Sequence, residues 1–434
     1  MSQRYQTKRL ECWQKAKELR IEHFREIMTA RSEGKLVVTG GADGFIALPS
    51  GLGDYVYLSG EPYGASVGTD PVLSAQCAEA CEARGFARDL CAYLRNYLGS
   101  MYLNRFFMGG EFPRPDFCLQ LHWCDSHAKW FQAVAEHFGV PYLVIDCPLG
   151  LRGKERDEVA VHYLVDQMHE AVAWMEKTTG RKYDDERLLE ALRNEFESTS
   201  LWAEICTLNK AFPAPLDEKS MFSLYIIGVM ARPRKESAEF YRMLRDEVKD
   251  RVANKIAAVP DERCRLFHDG QPPWQFLRLF RHLEHYGAVV LGSVYSFNLA
   301  GHFSDQEDGS LGASQTPEAR GWPFKTRDDA FRALARWYVE KPLHNDFVCP
   351  GGKSDLMLRV VREWHADGVL MHLNRGCEGA SVGQMENRLA LLQAGIPVAT
   401  YEGNMADKRE LDPRQVIDRI ESFMESLGLR QLPE

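Results

Sequence analysis

The sequence predicts an α/β protein with two Rossmann-like parallel-sheet lobes, a helical N-terminus and a helical insert. Three observations carry that prediction. In the first lobe, Phe117, Leu119, Leu121 and Trp123 alternate with Cys118, Gln120 and His122, and Trp130, Phe131, Val134, Ala135 and Phe138 then follow helical spacing. A period of two that gives way to a period of 3.6 is a strand running into a helix. Residues 367–374 and 382–394 repeat the pattern in the second lobe, with Cys377 at the junction as Cys124 is in the first. Between the two, residues 151–260 are charged, helix-patterned and poor in strand signals. The divisions are a helix over 1–33, a first lobe over 34–150, a helical region over 151–260 and a second lobe over 261–434.

Composition bounds what such a chain does. Its 434 residues suggest two or three domains, and 45% apolar with 26% charged residues is ordinary for a globular protein. A net charge of -9 without a Lys/Arg cluster disfavours a nucleic-acid partner. No apolar run approaches bilayer length, and the polar first residues lead into a charged helix rather than a signal peptide, which points to the cytoplasm. Eleven cysteines, an odd count in a reducing compartment, do not make a disulfide framework.

Taken in order, Leu10, Trp13, Leu19, Ile21, Phe24 and Ile27 form the apolar stripe of the first helix. A strand at 36–38 leads into a glycine-rich run, Gly40 to Gly68, whose spacing fits neither a dinucleotide fingerprint nor a P-loop. It reads as turns and close backbone packing beside a ligand. Cys77 and Cys81, four apart on a helix over 71–85, share one face and read as core. Asp89 is a candidate N-cap for the next helix, where Cys91 would gain thiolate character from the helix dipole. Residues 141–148 form a strand closing a parallel βαβ unit, and Cys147 at its end rivals Cys124 as a ligand. Helices are expected over 156–178, 184–208 and 220–252, with Trp202, Cys206 and Phe212 in the core. In the second lobe, strands are expected at 265–268 and 287–292, an exposed loop over 303–325, helices over 328–340 and 354–366, a strand at 395–401 and a last helix over 413–427.

The chemistry resides in the cysteines. Cys91, Cys124 and Cys377 lie at strand or helix ends, where α/β folds place their ligands. They do not form the paired knuckles of a structural zinc site. Thiolates are soft ligands suited to iron–sulfur clusters, zinc or copper(I). His122, His127 and His372 flank the cysteines as candidate proton donors or hydrogen-bond partners of a cluster. Asp125 and Glu378 read as helix caps or supports of the neighbouring ligands.

At these residues the sequence resembles the 2-hydroxyacyl-CoA dehydratase family, which includes the ATP-dependent benzoyl-CoA reductases. The resemblance rests on Asp89-x-Cys91-x-Tyr93-x-Arg95, on Pro115-Asp116 followed by Cys124-Asp125 and Lys129-Trp130, and on Asp367-Gly368-Val369 followed by Cys377, Glu386 and Gly395-Ile396-Pro397. It implies that Cys91, Cys124 and Cys377 bind iron of an iron–sulfur cluster, a 4Fe–4S cubane or a double cubane shared with a related second catalytic subunit. It also implies ATP-hydrolysing activator subunits, a ferredoxin as upstream donor and an acyl-CoA substrate. The chain has no P-loop, so it resembles a catalytic subunit rather than the activator, and most resembles the larger, B-type subunit of a benzoyl-CoA reductase. The expected reaction is dearomatising reduction of benzoyl-CoA. The alternatives are radical dehydration of a 2-hydroxyacyl-CoA and a non-catalytic electron-relay role.

Overall fold

The computed structural model describes residues 4–122, 124–148, 154–341 and 351–433. Residues ahead of the first helix run alongside 257–260, held by the Tyr5 N–H on the Pro260 carbonyl and a bridge between Thr7 and Ala257. This pairing delays α1 to Trp13–Thr29, so the helix is shorter than the 1–33 expected.

The first sheet contains β1 (Leu36–Gly40), β2 (Tyr55–Ser59), β3 (Phe117–His122) and β4 (Tyr142–Asp146), all parallel, in the order β2-β1-β3-β4. The glycine-rich run is more ordered than turns alone. It holds β2, a 3-10 turn at Leu48–Leu52 and the helix α2 (Gly60–Gly68). Close packing does explain its glycines: a Cβ on Gly64 would lie 2.6 Å from the Tyr93 carbonyl oxygen of the neighbouring helix. Helix α3 (Pro71–Glu82) starts where the Asp70 carboxylate accepts the Val72 and Leu73 N–H groups, and it buries Cys77 and Cys81 together. Helix α4 (Ala92–Tyr102) has Cys91, not Asp89, at its N-cap. Helix α5 (Asp125–Phe138) connects β3 to β4 and stops at Gly139 in the left-handed region. The strand–helix–strand unit is parallel, as the sequence predicts; Trp123 lies outside the described residues.

Five helices follow: α6 (Lys154–Thr179), α7 (Asp185–Leu208), α8 (Glu218–Leu224), α9 (Ile226–Ala231) and α10 (Lys235–Ala253). The single helix expected over 220–252 is thus three, and Pro233 marks the second break because it supplies no N–H to continue the ladder. Trp202 and Cys206 are fully buried as expected, but Phe212 is 58% exposed. It stands on the surface against Tyr5 and the Arg265 guanidinium, so it is an amphipathic contact rather than core.

The second sheet contains β5 (Cys264–Asp269) and β6 (Ala288–Ser293), joined through α11 (Arg278–Glu284). After α12 (Val294–Ala300), the segment expected to be an exposed loop holds a hairpin, β7 (Phe303–Asp305) with β8 (Leu311–Ala313), whose Phe303 and Leu311 are buried. Helix α13 (Arg327–Glu340) returns to the first lobe. Its Phe331 and Leu334 join Leu164 and Met168 of α6 over Val38 and Leu119 of the first sheet. Pro350 lies outside the described residues. A helix at Gly352–Glu363 precedes β9 (Gly368–Asn374). The helix expected over 382–394 is two pieces, Glu378–Ser381 and Gln384–Gln393, separated by Gly383. Strand β10 (Val398–Gly403) and a helix at Pro413–Ser426 complete the lobe. The order is β10-β9-β5-β6, all parallel, the same winding as the first sheet.

The lobes meet at the carboxyl ends of their strands. Arg95 of α4, 1% exposed, reaches the Asp407 carboxylate at 2.9 Å. Ser74 Oγ donates to the Ala406 carbonyl at 2.7 Å, and Gln275 Nε2 to the Gly68 carbonyl at 3.0 Å. These bonds fix the relative position of the two sheets around one cavity.

Candidate active site

Each cysteine of interest is placed by a chain reversal. Cys124 follows β3 in extended backbone and caps α5, and Cys91 caps α4. Cys377 follows β9 through the turn Arg375-Gly376, at the start of the short helix Glu378–Ser381. Gly376 has φ +77°, and a Cβ there would lie 2.8 Å from the carbonyl oxygens of Asp89 and Leu90. Only a glycine allows the turn bearing Cys377 to press on the segment bearing Cys91. All three cysteines line one cavity, with Glu61, Tyr93, His127, Gln271, Tyr295, Leu299 and Met405 among its other walls. Among the described cysteines these three are partly exposed and all the others are buried. Cys147, the rival, is packed in the separate core under α6.

Burial pushes the Cys91 thiol up to about 12, against the Tyr93 and Leu94 N–H groups, which pull it down. Burial likewise raises Cys124 well above the usual thiol range, opposed by the His127 N–H. The helix N-termini act in the expected direction, but desolvation dominates. The Cys377 sulfur accepts a hydrogen bond from Gln271 Nε2.

The histidines separate. His127 lines the cavity and its Nε2 lies 2.6 Å from Glu61 Oε1. Burial disfavours the charge on Glu61, yet His127 and the Ala42 N–H, 2.8 Å from Oε2, outweigh it and hold the carboxyl below its usual range. His372 lies behind the cavity. Its Nδ1 donates to the Gln271 carbonyl at 2.8 Å, and burial lowers it to about 4, so it is neutral and structural at ordinary pH. His122 is not among the lining residues; its Nδ1 pairs with Asp146 at 3.1 Å on the solvent side of the sheet. Asp125 is exposed in the first turn of α5, where its charge suits the helix dipole. The Glu378 side chain lies outside the described residues.

Of the lining residues that escaped the reading of the sequence, Glu61, Gln271 and Tyr295 bring polar groups to the cavity. Glu61 follows β2 by two residues, and Tyr295 follows β6 by two. Recognising β2 inside the glycine run would have placed Glu61 at a strand's carboxyl end. The Tyr295 hydroxyl is hydrogen-bonded to those of Tyr93 and Tyr225, and Tyr93 also accepts from Trp274 Nε1 at 2.6 Å.

With this geometry in hand, residues 62–427 match the family described as 2-hydroxyglutaryl-CoA dehydratase, D-component. The chain belongs to that family. Similar to it are the (R)-phenyllactyl-CoA dehydratase alpha subunit of Clostridium sporogenes, 26% identical over 361 residues covering 82% of this chain and 81% of the relative, and the (R)-2-hydroxyglutaryl-CoA dehydratase alpha subunit of Acidaminococcus fermentans, 26% identical over 73% and 61%. The B-type subunit of the benzoyl-CoA reductase of Thauera aromatica is 25% identical over 81% and 79%. The family match spans all three cavity cysteines and begins one residue after Glu61. No helix among the described residues is long and apolar enough to cross a membrane.

Proposed function

We propose that this chain is an iron–sulfur catalytic subunit of an ATP-dependent enzyme that passes low-potential electrons into an acyl-CoA, of the ring-reducing benzoyl-CoA reductase type. The carrying observation is that the partly exposed cysteines share one cavity with a buried imidazole–carboxylate pair and an aromatic wall. Among the described residues no group of His, Cys, Asp and Glu is arranged to hold a single metal ion. Three thiols lining one cavity suit a cubane, in which each thiolate takes a different iron. Cys91, Cys124 and Cys377 would hold one face of a 4Fe–4S cluster, or their share of a double cubane. When bound, the cluster supplies electrons at a potential low enough to reduce a thioester-conjugated ring.

The other walls do what protein groups can do around such a centre. Tyr93, Tyr295, Leu299 and Met405 exclude water and accept an apolar acyl group. The proton shared by Glu61 Oε1 and His127 Nε2 is held on the cavity wall, placed to reach a reduced substrate. The relatives are named as alpha or B-type subunits, which supports a heteromer. We take the partners to be a related second catalytic subunit and an ATP-hydrolysing activator fed by ferredoxin.

A second reading, radical dehydration of a 2-hydroxyacyl-CoA, is favoured by the family's description and by the dehydratase alpha subunits among the relatives. Electron accounting separates the two. A dehydratase recovers its electron each cycle, whereas ring reduction consumes two per product. The test is ATP hydrolysed per product by the anaerobic heteromer, with benzoyl-CoA and with phenyllactyl-CoA. Continuous ATP use with benzoyl-CoA is expected. Many dehydration turnovers after one ATP pulse would overturn the reductase reading.

A further inference from the structure

The three cavity sulfurs receive their hydrogen bonds from different sources. Cys91 precedes an eleven-residue helix and Cys124 a fourteen-residue one, and backbone N–H groups of those first turns face their sulfurs. Cys377 precedes a helix of four residues. There a side chain donates to the sulfur, from Gln271 on the loop after β5.

The direction of that bond is fixed by a chain of amides. The Met405 backbone N–H can only donate, and it donates to Asn374 Oδ1 at 3.0 Å. Asn374 must therefore present its Nδ2, which donates to Gln271 Oε1 at 2.8 Å. Gln271 is left with Nε2 toward the sulfur, so the assignment rests on the network rather than on a choice of amide orientation. The Gln271 carbonyl is held in turn by His372 Nδ1 at 2.8 Å, and the side chain is buried. A buried amide clamped on both sides and aimed at a sulfur is an expensive arrangement to keep for packing alone.

We propose that Gln271 is a positioning residue for Cys377 whose amide N–H raises the reduction potential of the centre bound there. A hydrogen bond to a ligating sulfur withdraws electron density and favours the reduced cluster. This inference rests on the cluster reading above.

The experiment is redox titration, followed by electron paramagnetic resonance, of the anaerobically prepared heteromer, with iron and sulfide counted in every sample. Gln271→Glu keeps the shape and the acceptor for Asn374 but turns an oxygen toward the sulfur. Gln271→His returns an N–H donor. The expected result is a more negative midpoint in Gln271→Glu, with recovery toward the wild-type value in Gln271→His. Cluster loss in Gln271→Glu with retention in Gln271→His would also support the donor role. An unchanged midpoint in Gln271→Glu, or equal behaviour of the two variants, overturns the proposal while leaving the cluster reading intact. Wild-type heteromer without iron overturns both.

Discussion

The two lobes are the same fold used in two ways. Each winds four parallel strands in one order, and each places a cysteine after its third strand, Cys124 after β3 and Cys377 after β9. Each sends the second residue after its second strand into the cavity, Glu61 after β2 and Tyr295 after β6. The carboxyl ends of the first and third strands, where their connections diverge, are where such sheets bind ligands. The differences are chemical. The first lobe supplies a buried carboxylate–imidazole pair and a cysteine on a full helix; the second supplies a hydrogen-bonded tyrosine and a cysteine on a single turn. Under the proposed function, the first lobe would handle protons and the second would hold and shape the substrate.

Substitutions that break this comparison should do so in graded steps. Cys124→Ser and Cys377→Ser, equivalent in the two lobes, should each abolish bound iron, because a hydroxyl is a poor replacement for a soft thiolate. Iron analysis after anaerobic preparation checks this, and full iron in either variant would refute the assignment. Glu61→Gln should lower kcat by about 10²-fold or more if the first lobe handles the proton. Tyr295→Phe, at the matching place in the second lobe, should cost less than about 10-fold, the scale of one lost neutral hydrogen bond. Steady-state rates that reverse this order would reverse the division of labour.

The contact between lobes has its own signature in acid. Burial opposes the charge on Asp407, but Arg409, its backbone N–H and Arg95 outweigh that and hold the carboxyl at about 2, against an ordinary value of 3.8. A carboxyl depressed by folding contributes stability that is complete above about pH 4 and is lost as the pH falls through 2. The contribution is roughly 2 kcal/mol at neutral pH. Denaturant melts of the wild type and Asp407→Asn should therefore converge as pH drops from 4 toward 2; a pH-independent gap would speak against it. The smallest effect is expected at His122. It is half-exposed and paired with Asp146 away from the cavity, so His122→Ala should change stability by less than about 0.5 kcal/mol and leave turnover near wild type. A large loss of turnover would restore it to the site.

The fold was legible where local periodicity and burial agree. Residues 117–138 declare strand and helix because β3 is buried on two faces and α5 carries one apolar stripe; β9 is buried likewise, but the helix after it buries Gln384 and Asn387 and exposes Met385 and Leu389, so its apolar residues did not mark a core face. The site was legible in its cysteines, residue types rare enough to weigh one by one, and in His127 beside one of them. Glu61 was hidden because glycines needed for close contact with α4 masked the strand before it. Gln271 was hidden because a glutamine in an Asp-Gly-Gln-Pro-Pro turn has no local signature; its meaning comes from Asn374 and Met405, far along the chain. Phe212 misled because an aromatic residue covering an arginine has the same hydrophobicity as one in the core.

The bare turn at Gly376 sets a timetable. Because it closes the cavity only by lying on the Asp89 and Leu90 carbonyls, Cys91 and Cys124 have no third companion until most of the chain has been made and the lobes have docked. A group that needs all three thiols therefore finds them together only after Cys377 has been made and the lobes have docked.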